Sequence, residues 1–451
     1  MLTAVGLTVT LTIIILLLMG RVSPLVGLTL VPIVGALIVG FGVTEIGEFF
    51  ESGLDSVMDV AVMFVFAILY FGIMRDVGLF QPLINHVIRM TRGNVVAISV
   101  GTVLVASLSH LDGSGATTFL ITIPAFLPLY QRLGMSPYLL VTLVAAGIGV
   151  LNLLPWAGPI GRAASVIGMD PVELWRPLVP VQAIALVLLI AMAVVMGMRE
   201  QRRIARRSST GKGGNVSDTD PKDGGAHAHP GAHAQGSTHT LGQEEVIPFR
   251  LWANAPLTVA VVATLVSGAL PAGYVFMIGL CLALLINFPK VQDQLDKLKA
   301  HAPNALMMGS IILAAGSFLG IMESTGMLES VAQDLAAMLP AAMVPYLHLV
   351  VGFFGAPMDL LMSTDAYYFA MLPVVEQVVT THGVAATTTV YAMAIGNNIG
   401  AMISPFAPAV WMALGLAGIE MGRYIRYAFL WIWGLSILVM LAAILIGVIP
   451  V

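Results

Sequence analysis

Two short polar clusters interrupt long apolar stretches of this chain, and each holds groups that bind protons or ions. The first reads Ser-His-Leu-Asp-Gly-Ser-Gly at 109–115, and the second reads Asp-Leu-Leu-Met-Ser-Thr-Asp at 359–365. Ionisable side chains at membrane depth are costly and usually functional, and oxygen-rich groups suit a proton or a hard cation. The alternatives are aspartates that only cap helices and a neutral, hydrogen-bonded core histidine. The candidates for this chemistry are His110, Asp112, Asp359 and Asp365.

A second pair of interruptions combines asparagine with helix breakers. One reads Leu-Asn-Leu-Leu-Pro-Trp-Ala-Gly-Pro at 151–159, and the other reads Gly-Asn-Asn-Ile-Gly-Ala-Met-Ile-Ser-Pro at 396–405. Glycine and proline free backbone amides and carbonyls, and the N-terminus of a half-helix suits an anion such as a carboxylate. A proline kink that serves only packing is the alternative, but it explains two matching breaks poorly. Together with the two polar clusters, these breaks offer neutral side chains as ligands. They are Ser109, Thr117, Asn152, Asn397, Asn398 and Ser404.

The composition requires that a bilayer surrounds these clusters. Of 451 residues, 58% are hydrophobic and 10% are charged, whereas soluble domains are about 45–50% apolar and about 25% charged. A soluble enzyme, a nucleic-acid binder and a disordered scaffold are thereby excluded, and the net charge of −4 suggests no polyanionic partner. The single cysteine, Cys281, excludes a disulfide framework, and we predict a buried, inert thiol. We interpret 2–19 as a first transmembrane helix rather than a cleavable signal peptide.

Ten apolar runs are long enough to cross a bilayer, and two further segments carry the polar clusters. Because a polar tip that faces lipid would leave unsatisfied groups, we predict re-entrant hairpins over 94–130 and 341–379. Residues 199–249 lack apolar periodicity and are predicted to form a disordered cytoplasmic linker. Its histidines either collect a transition metal or reflect unselected composition; they are His227, His229, His233 and His239. The predicted crossings are 2–19, 24–43, 57–74, 138–160, 178–198, 252–269, 273–289, 304–322, 388–414 and 425–449.

The two halves of the chain resemble each other. Pro155, Gly168, Asp170 and Arg176 match Pro405, Gly418, Glu420 and Arg426 at a constant offset. Five crossings per half invert one half relative to the other, and inverted repeats with broken helices are typical of secondary transporters. We therefore predict an all-α integral membrane protein with repeats over 1–198 and 250–451. Each repeat contains scaffold helices (2–74, 252–322), a hairpin (94–130, 341–379), a broken helix (138–168, 388–414) and a final helix (178–198, 425–449).

Charge placement sets the predicted orientation. With the linker in the cytoplasm, all of the 20 lysines and arginines except Arg162 and Arg176 lie inside. The acidic loops 45–59 and 323–334 then lie outside, in agreement with the positive-inside rule. Both chain termini are predicted to be external. Alternating access is predicted to move residues 75–175 and 323–420 against the other helices.

Four stretches resemble the citrate–metal/proton symporter (CitMHS) family of the ion transporter superfamily: 109–130, 153–159, 363–369 and 396–400. The resemblance covers the chain apart from the linker. It implies an elevator fold in the plasma membrane and a homodimer, with a scaffold domain and a moving transport domain. It also implies uptake of citrate complexed with a divalent metal, Mg²⁺ or similar, coupled to protons, with no permanently bound cofactor and no nucleic-acid partner.

The resemblance also assigns roles to tip residues. Superfamily relatives bind carboxylate and coupling ion through serine, asparagine and threonine at two hairpin tips, and the matching positions are Ser114 with Gly115, and Ser363 with Thr364. The asparagine is absent from both tips and acidic residues stand nearby, which suits protons better than sodium. The four titratable candidates would then carry protons or contact the metal–citrate complex, the metal being held by citrate. Arg162 would contact a citrate carboxylate, or else snorkel at the interface.

Two alternatives remain at this stage. One is a sodium- or proton-coupled carrier of another organic anion, of dicarboxylate or gluconate type, in the same superfamily. The remote alternative is an intramembrane enzyme. A rhomboid-like serine protease would need glycine at position 112, where this chain has Asp112, and a zinc protease would need a His-Glu-x-x-His motif, which the sequence lacks. Neither enzyme class accounts for the inverted repeat.

Overall fold

The computed structural model describes residues 1–19, 21–79, 81–91, 93–210, 248–340 and 342–450, and these residues form helices without β-strands. The histidines of the predicted linker lie outside the described residues. The first repeat contains α1 (Leu2–Leu18), α2 (Pro24–Val39), α3 (Val43–Asp76), α4 (Gln81–Met90), α5 (Val95–Ser109), α6 (Gly115–Arg132), α7 (Pro137–Leu151), α8 (Gly158–Val166), α9 (Pro171–Trp175) and α10 (Val179–Thr210).

The second repeat returns the same order of long and short helices. It contains α11 (Pro248–Ser267), α12 (Ala272–Asn287), α13 (Val291–Ser324), α14 (Met327–Met338), α15 (Leu347–Phe353), α16 (Gly355–Met358), α17 (Leu372–Thr380), α18 (Ala386–Asn398), α19 (Pro408–Ala417) and α20 (Met421–Leu445). Among the described residues, five helical segments are long and apolar enough to cross a bilayer. They are Val43–Asp76, Val95–Asp112, Pro171–Arg206, Val291–Ser324 and Met421–Leu445.

The matching helices α3 and α13 show that the repeats are inverted. Each has 34 residues, and they pack side by side in opposite directions. Gly53 faces Gly316 near one end, and Asp76 accepts a hydrogen bond from Lys297 Nζ at 3.0 Å near the other. The packing is reciprocal between repeats, because α3 contacts α12 while α13 contacts α2. The predicted all-α inverted-repeat fold is confirmed.

Both polar segments form helical hairpins. In the first, α5 and α6 run antiparallel, because Thr102 Oγ1 on α5 lies 3.0 Å from the Tyr130 hydroxyl near the end of α6. The tip is a 3₁₀ turn, His110–Asp112, followed by Gly113 at φ +72°. In the second hairpin, Val344 on the incoming arm packs against Val378 on the outgoing arm. The outgoing arm begins with a π-helix over Ala366–Met371, a feature that is frequent at functional sites.

The two broken helices meet at their breaks. The first is interrupted between α7 and α8, and the second bends by 41° between Ala386–Ile403 and Pro408–Ala417. Glycine makes the close approach of the two helices feasible, because a Cβ at Gly149 would lie 2.7 Å from the Ile399 Cα. The polar backbone freed at both breaks is therefore gathered into one region of the protein.

The helices form two packing groups. One contains α1–α3 and α11–α13, and the other contains the hairpins and broken helices. Helices α10 and α20 pack against each other and against α7, and α10 also packs against α5. The sequence predicts that 178–198 and 425–449 belong with the static helices, whereas α10 and α20 pack against helices of the hairpin group.

Two sequence predictions are wrong in detail. Helix α10 continues to Thr210, so residues 199–210 are helical and not part of a disordered linker. The extension is held because the Ser136 amide donates to Glu200 Oε1 at 2.5 Å and Arg203 Nη2 donates to the Gly134 carbonyl at 2.8 Å. The thiol of Cys281 is exposed rather than buried, because it lies on the face of α12 opposite the one that packs inward through Gly279 and Ala283.

Candidate functional site

The first hairpin tip is a compact polar cluster that contains an arginine from α3. Asp112 Oδ1 accepts a hydrogen bond from the Ser114 amide at 2.8 Å. Ser114 Oγ caps α6, accepting from the Thr117 amide at 3.3 Å and the Thr117 hydroxyl at 2.9 Å. Arg75 Nη1 donates to Thr117 Oγ1 at 2.7 Å and lies 3.3 Å from Asp112 Oδ2. Gly115, the first residue of α6, packs beside Met402 of the second repeat.

A small cavity opens beside this tip. Its volume is about 30 Å³, room for about one water molecule. Arg75 and Asp112 supply a charge of each sign, and Ser109 lines it with an Oγ that is buried without a hydrogen-bond partner. The remaining lining residues are Gly78, Gln81, Ile84 and Ile121.

His110 is fully buried at the beginning of the first tip. Its Nε2 lies 2.9 Å from Asn152 Oδ1, and its Nδ1 lies 3.0 Å from Thr118 Oγ1. The Trp156 indole N–H donates to the Leu111 carbonyl at 2.9 Å. The break of the first broken helix therefore holds the first tip through both a side chain and the backbone.

Asp359 is buried at the beginning of the second tip and is held by the second broken helix. Its Oδ1 accepts from Asn397 Nδ2 at 2.7 Å, and its backbone carbonyl accepts from Ser404 Oγ at 2.5 Å. The other carboxylate oxygen, Oδ2, is buried without a hydrogen-bond partner, as is Asn397 Oδ1. The backbone of Gly400 lies very close to this oxygen, because a Cβ at Gly400 would lie 2.6 Å from Asp359 Oδ2.

Asp365 lies at the far end of the second tip and forms an ion pair across the repeats. Its Oδ1 lies 2.7 Å from Arg162 Nε on α8. The two side chains are 17% and 12% exposed, so the pair is mostly shielded from solvent. Ser363 Oγ accepts from the Ala366 amide at 3.3 Å, and Thr364 lies half-buried between them.

The two tips meet through the helix breaks. Asn152 of the first break contacts His110, and its backbone carbonyl lies 3.5 Å from Asn398 Nδ2 of the second break. Asn398 Oδ1 accepts from the Tyr368 hydroxyl at 2.8 Å, and the adjacent Asn397 contacts Asp359. A continuous chain of polar groups therefore runs from one tip to the other.

Sequence reasoning missed Arg75, which completes the first tip, whereas Thr118 was visible as a polar residue after that tip. Arg75 stands three residues before Gly78, which matches Gly326 of the second repeat. The position of Arg75 at the end of a predicted crossing was the available signal. Tyr368 was visible as a polar residue after the second tip. Its contact with Asn398 depends on how the two segments fold.

No group of three or more His, Cys, Asp or Glu side chains converges in a metal-binding arrangement within the ranges that the structure describes. The site therefore offers an assembly of hydroxyls, amides and helix ends with two arginine–carboxylate pairs. Such a set can hydrogen-bond carboxylate groups and carry at most a small net charge.

Comparisons with known proteins find relatives that match along the whole chain. The model of a family described as "Citrate transporter" (CitMHS) matches residues 13–396. A Bacillus subtilis (strain 168) protein named "Mg(2+)/citrate complex secondary transporter" is 36% identical over 452 residues, and another from the same strain named "Citrate transporter" is 35% identical over 449 residues. Both alignments cover 100% of each chain.

Two solved structures share the fold. The YdaH transporter of Alcanivorax borkumensis superposes with a TM-score of 0.60 at 15% identity, over 90% of each chain. MtrF of Neisseria gonorrhoeae, described as one of a class of antimetabolite efflux pumps, also gives 0.60, at 12% identity over 90% of this chain and 85% of its own. At such identities the likeness concerns the fold alone.

Proposed function

The chain belongs to the citrate transporter (CitMHS) family, and from this premise we propose that it imports citrate as a complex with a divalent metal ion, coupled to protons. It is a multi-pass membrane transporter and not an enzyme. The observation that carries the proposal is the polar chain that joins the two tips through the breaks. A relative named for transport of the Mg²⁺–citrate complex supports Mg²⁺ as the metal.

The charges of the site suit a complexed substrate better than free citrate. Free citrate at neutral pH carries nearly three negative charges, and a bound divalent ion cancels two of them. Two arginines reach the tips from α3 and α8, and each is already opposed by an aspartate. A largely neutralised complex can be bound by hydroxyls, amides and helix N-termini, and its carboxylates can compete with Asp112 and Asp365 for Arg75 and Arg162. The metal arrives as part of the substrate, held by citrate.

The substrate ligands that we propose are the neutral groups at the tips and breaks. Ser114 and Thr117 already bond to each other beside Arg75, and the asparagines line the junction of the two breaks. Protons would neutralise one or more of the titratable tip residues, His110, Asp112, Asp359 and Asp365. The full set of proposed substrate ligands is Ser109, Ser114, Gly115, Thr117, Asn152, Ser363, Thr364, Asn397, Asn398 and Ser404, with Arg162 as a carboxylate contact.

Alternating access would move the hairpin group against α1–α3 and α11–α13. We include α10 and α20 in the moving group because they pack against α5, α7 and α18. We further propose a homodimer in the plasma membrane with external termini and a cytoplasmic 211–247 segment. The placement of 18 of the 20 basic residues on one side supports this orientation, and reaction of that segment with an impermeant label in intact cells would contradict it.

The direct test is uptake of radiolabelled citrate into proteoliposomes. We expect uptake to require both a divalent ion and an inwardly directed proton gradient, with Mg²⁺ effective. Stimulation by sodium without a divalent ion would instead indicate a dicarboxylate-type carrier. Absence of citrate uptake under every condition would overturn the substrate assignment, and gluconate would be tested next.

A further inference from the structure

The four titratable tip residues differ in whether a positive charge lies beside them. Asp112 lies 3.3 Å from Arg75, and Asp365 lies 2.7 Å from Arg162. Asp359 and His110 have no ion-pair partner among the described residues, and their exposed fractions are 1% and 0%. Of the four tip residues, two carboxylates therefore have an arginine beside them, and one titratable residue in each tip has no opposite charge beside it.

These two uncompensated groups occupy equivalent positions. The offset that aligns Ser114 with Ser363 also aligns His110 with Asp359. Each stands at the beginning of its tip, and each hydrogen-bonds an asparagine in the broken helix of its own repeat, Asn152 or Asn397. The repeat architecture thus brings a titratable group without a counter-charge to the same place twice.

The surroundings of Asp359 favour the protonated form of its carboxyl group. Oδ1 has a donor in Asn397, but Oδ2 is buried with no partner, and the Ser404 hydroxyl is directed to the backbone carbonyl instead. An ionised carboxylate would hold an unpaired charge in a low-dielectric interior, which is strongly unfavourable. A proton on Oδ2 removes that charge without any rearrangement of the donors already present.

The other titratable groups around Asp359 are not paired with it. Helix α15, which packs against α16, carries the buried His348, whose ring nitrogens have no hydrogen-bond partner and therefore do not bond to Asp359. The π-helix contributes Tyr367 and Tyr368, both fully buried. Helix α18 contributes the neutral Asn397, and α20 contributes Tyr424, whose hydroxyl donates to the Met402 carbonyl at 2.9 Å. Helix α16, Gly355–Met358, contains no titratable side chain.

We propose that Asp359, rather than Asp112 or Asp365, binds and releases the coupling proton. The inference rests on the proposed proton-coupled function. A proton from the external solution binds Asp359 Oδ2 while the site faces outward, and the same proton is released to the cytoplasm when the site faces inward. In the arrangement that the structure shows, Asp112 and Asp365 are the partners of Arg75 and Arg162, and we assign them as positioning residues in the binding site.

The test separates net transport from exchange. Asparagine at 359 has nearly the shape of a protonated aspartic acid but cannot release a proton. We expect Asp359→Asn to reduce uptake driven by a proton gradient at least about tenfold, while exchange of Mg²⁺–citrate across the membrane stays within about threefold of wild type. Asp359→Glu, which retains a titratable group, should recover part of the gradient-driven uptake.

The matched controls are Asp112→Asn and Asp365→Asn. Both should slow uptake and exchange together, and the uptake that remains should keep its response to the proton gradient. The proposal is overturned if Asp359→Asn responds to the gradient as wild type does, or if either control loses that response while Asp359→Asn keeps it. If wild type itself shows no response to the gradient, the proposed proton coupling fails rather than the choice of residue.

A measurement on the wild-type protein covers the case in which Asp359→Asn does not fold. Dicyclohexylcarbodiimide reacts with protonated carboxyl groups in apolar surroundings, and the modified peptide can be identified by mass spectrometry. We expect modification at Asp359 that declines as the pH is raised and that Mg²⁺–citrate protects against. Modification of Asp112 or Asp365 without modification of Asp359 would overturn the assignment.

Discussion

At the scale of single residues, each acidic group of the site has a different partner. Arg75 neutralises Asp112, Arg162 neutralises Asp365, and Asp359 has only the amide of Asn397. The residue types and their clustering were predictable from the sequence, because serine, threonine and aspartate interrupted apolar runs. Their partners were not, because Arg75 and Arg162 stand 37 and 203 positions away from the aspartates they meet. Only the folded arrangement of the helices decides such contacts.

The ion pair between Arg162 and Asp365 is expected to be required for transport. Removal of one partner leaves a shielded charge unpaired, which in buried pairs lowers the folding stability by about 3–5 kcal/mol. Because this pair is partly exposed, we expect a cost at or below the lower end of that range. We expect Arg162→Ala to reduce Mg²⁺–citrate uptake at least about tenfold. Uptake into proteoliposomes at equal reconstituted protein is the measurement.

Two variants sharpen that prediction. Arg176→Ala is the matched control, because Arg176 lies on the same predicted side of the membrane but is exposed, and its uptake should stay near wild type. Combining Arg162→Asp with Asp365→Arg restores the opposite charges and should recover part of the folding stability. An Arg162→Ala variant that transports as well as Arg176→Ala would show that Arg162 only snorkels at the interface.

At the scale of helices, the sequence predicted the hairpins and breaks because each has a local cause. Polar tips cannot face lipid, and Pro155 and Pro405 interrupt hydrogen-bonded turns. The limit of α10 was not predictable in the same way. Residues 199–210 resemble a polar linker in composition, and contacts of Glu200 and Arg203 with the loop before α7 accompany their helical conformation. The close approach of α3 and α13 depends on glycines such as Gly53 and Gly316. Their role in packing becomes apparent only when the two helices are placed together.

Gly53→Ala is expected to destabilise this crossing. A Cβ at Gly53 would lie 2.1 Å from the Gly316 backbone carbonyl, and overpacking of this kind costs about 1–3 kcal/mol. Gly47→Ala on the same helix is the control, because a Cβ there meets nothing within 4 Å and alanine stabilises a helix by about 0.5–1 kcal/mol relative to glycine. Thermal unfolding of the detergent-solubilised protein should give a lower Tm for Gly53→Ala only, and equal Tm values would contradict this packing.

At the scale of the whole molecule, the inverted repeat brings two polar tips, which hold equivalent positions in the two halves, into one region. The constant offset between the halves predicted this architecture, and the antiparallel course of α3 and α13 confirms it. Which helices pack together could not be read from hydropathy, because α10 and α20 are as apolar as α3 and α13. Packing against α5 and α7 is what joins them to the hairpin group. The contacts between the two groups are few, and α8 makes several of them.

A cross-link between the two groups should therefore stop transport. Gly161 on α8 lies against the ring of Phe64 on α3, where a Cβ would approach within 1.9 Å. Phe64→Cys combined with Gly161→Cys removes the ring and places two thiols together, and Cys281→Ser removes the exposed native thiol. We expect Hg²⁺ to lower uptake by this variant at least about tenfold, and dithiothreitol to restore it. A Val261→Cys and Gly279→Cys pair links α11 to α12 within the other group, because a Cβ at Gly279 would lie 2.8 Å from Val261 Cγ2, and this cross-link should change uptake far less. Mg²⁺–citrate binding should survive either cross-link, so uptake that continues through the α3–α8 cross-link would mean that these groups do not move against each other.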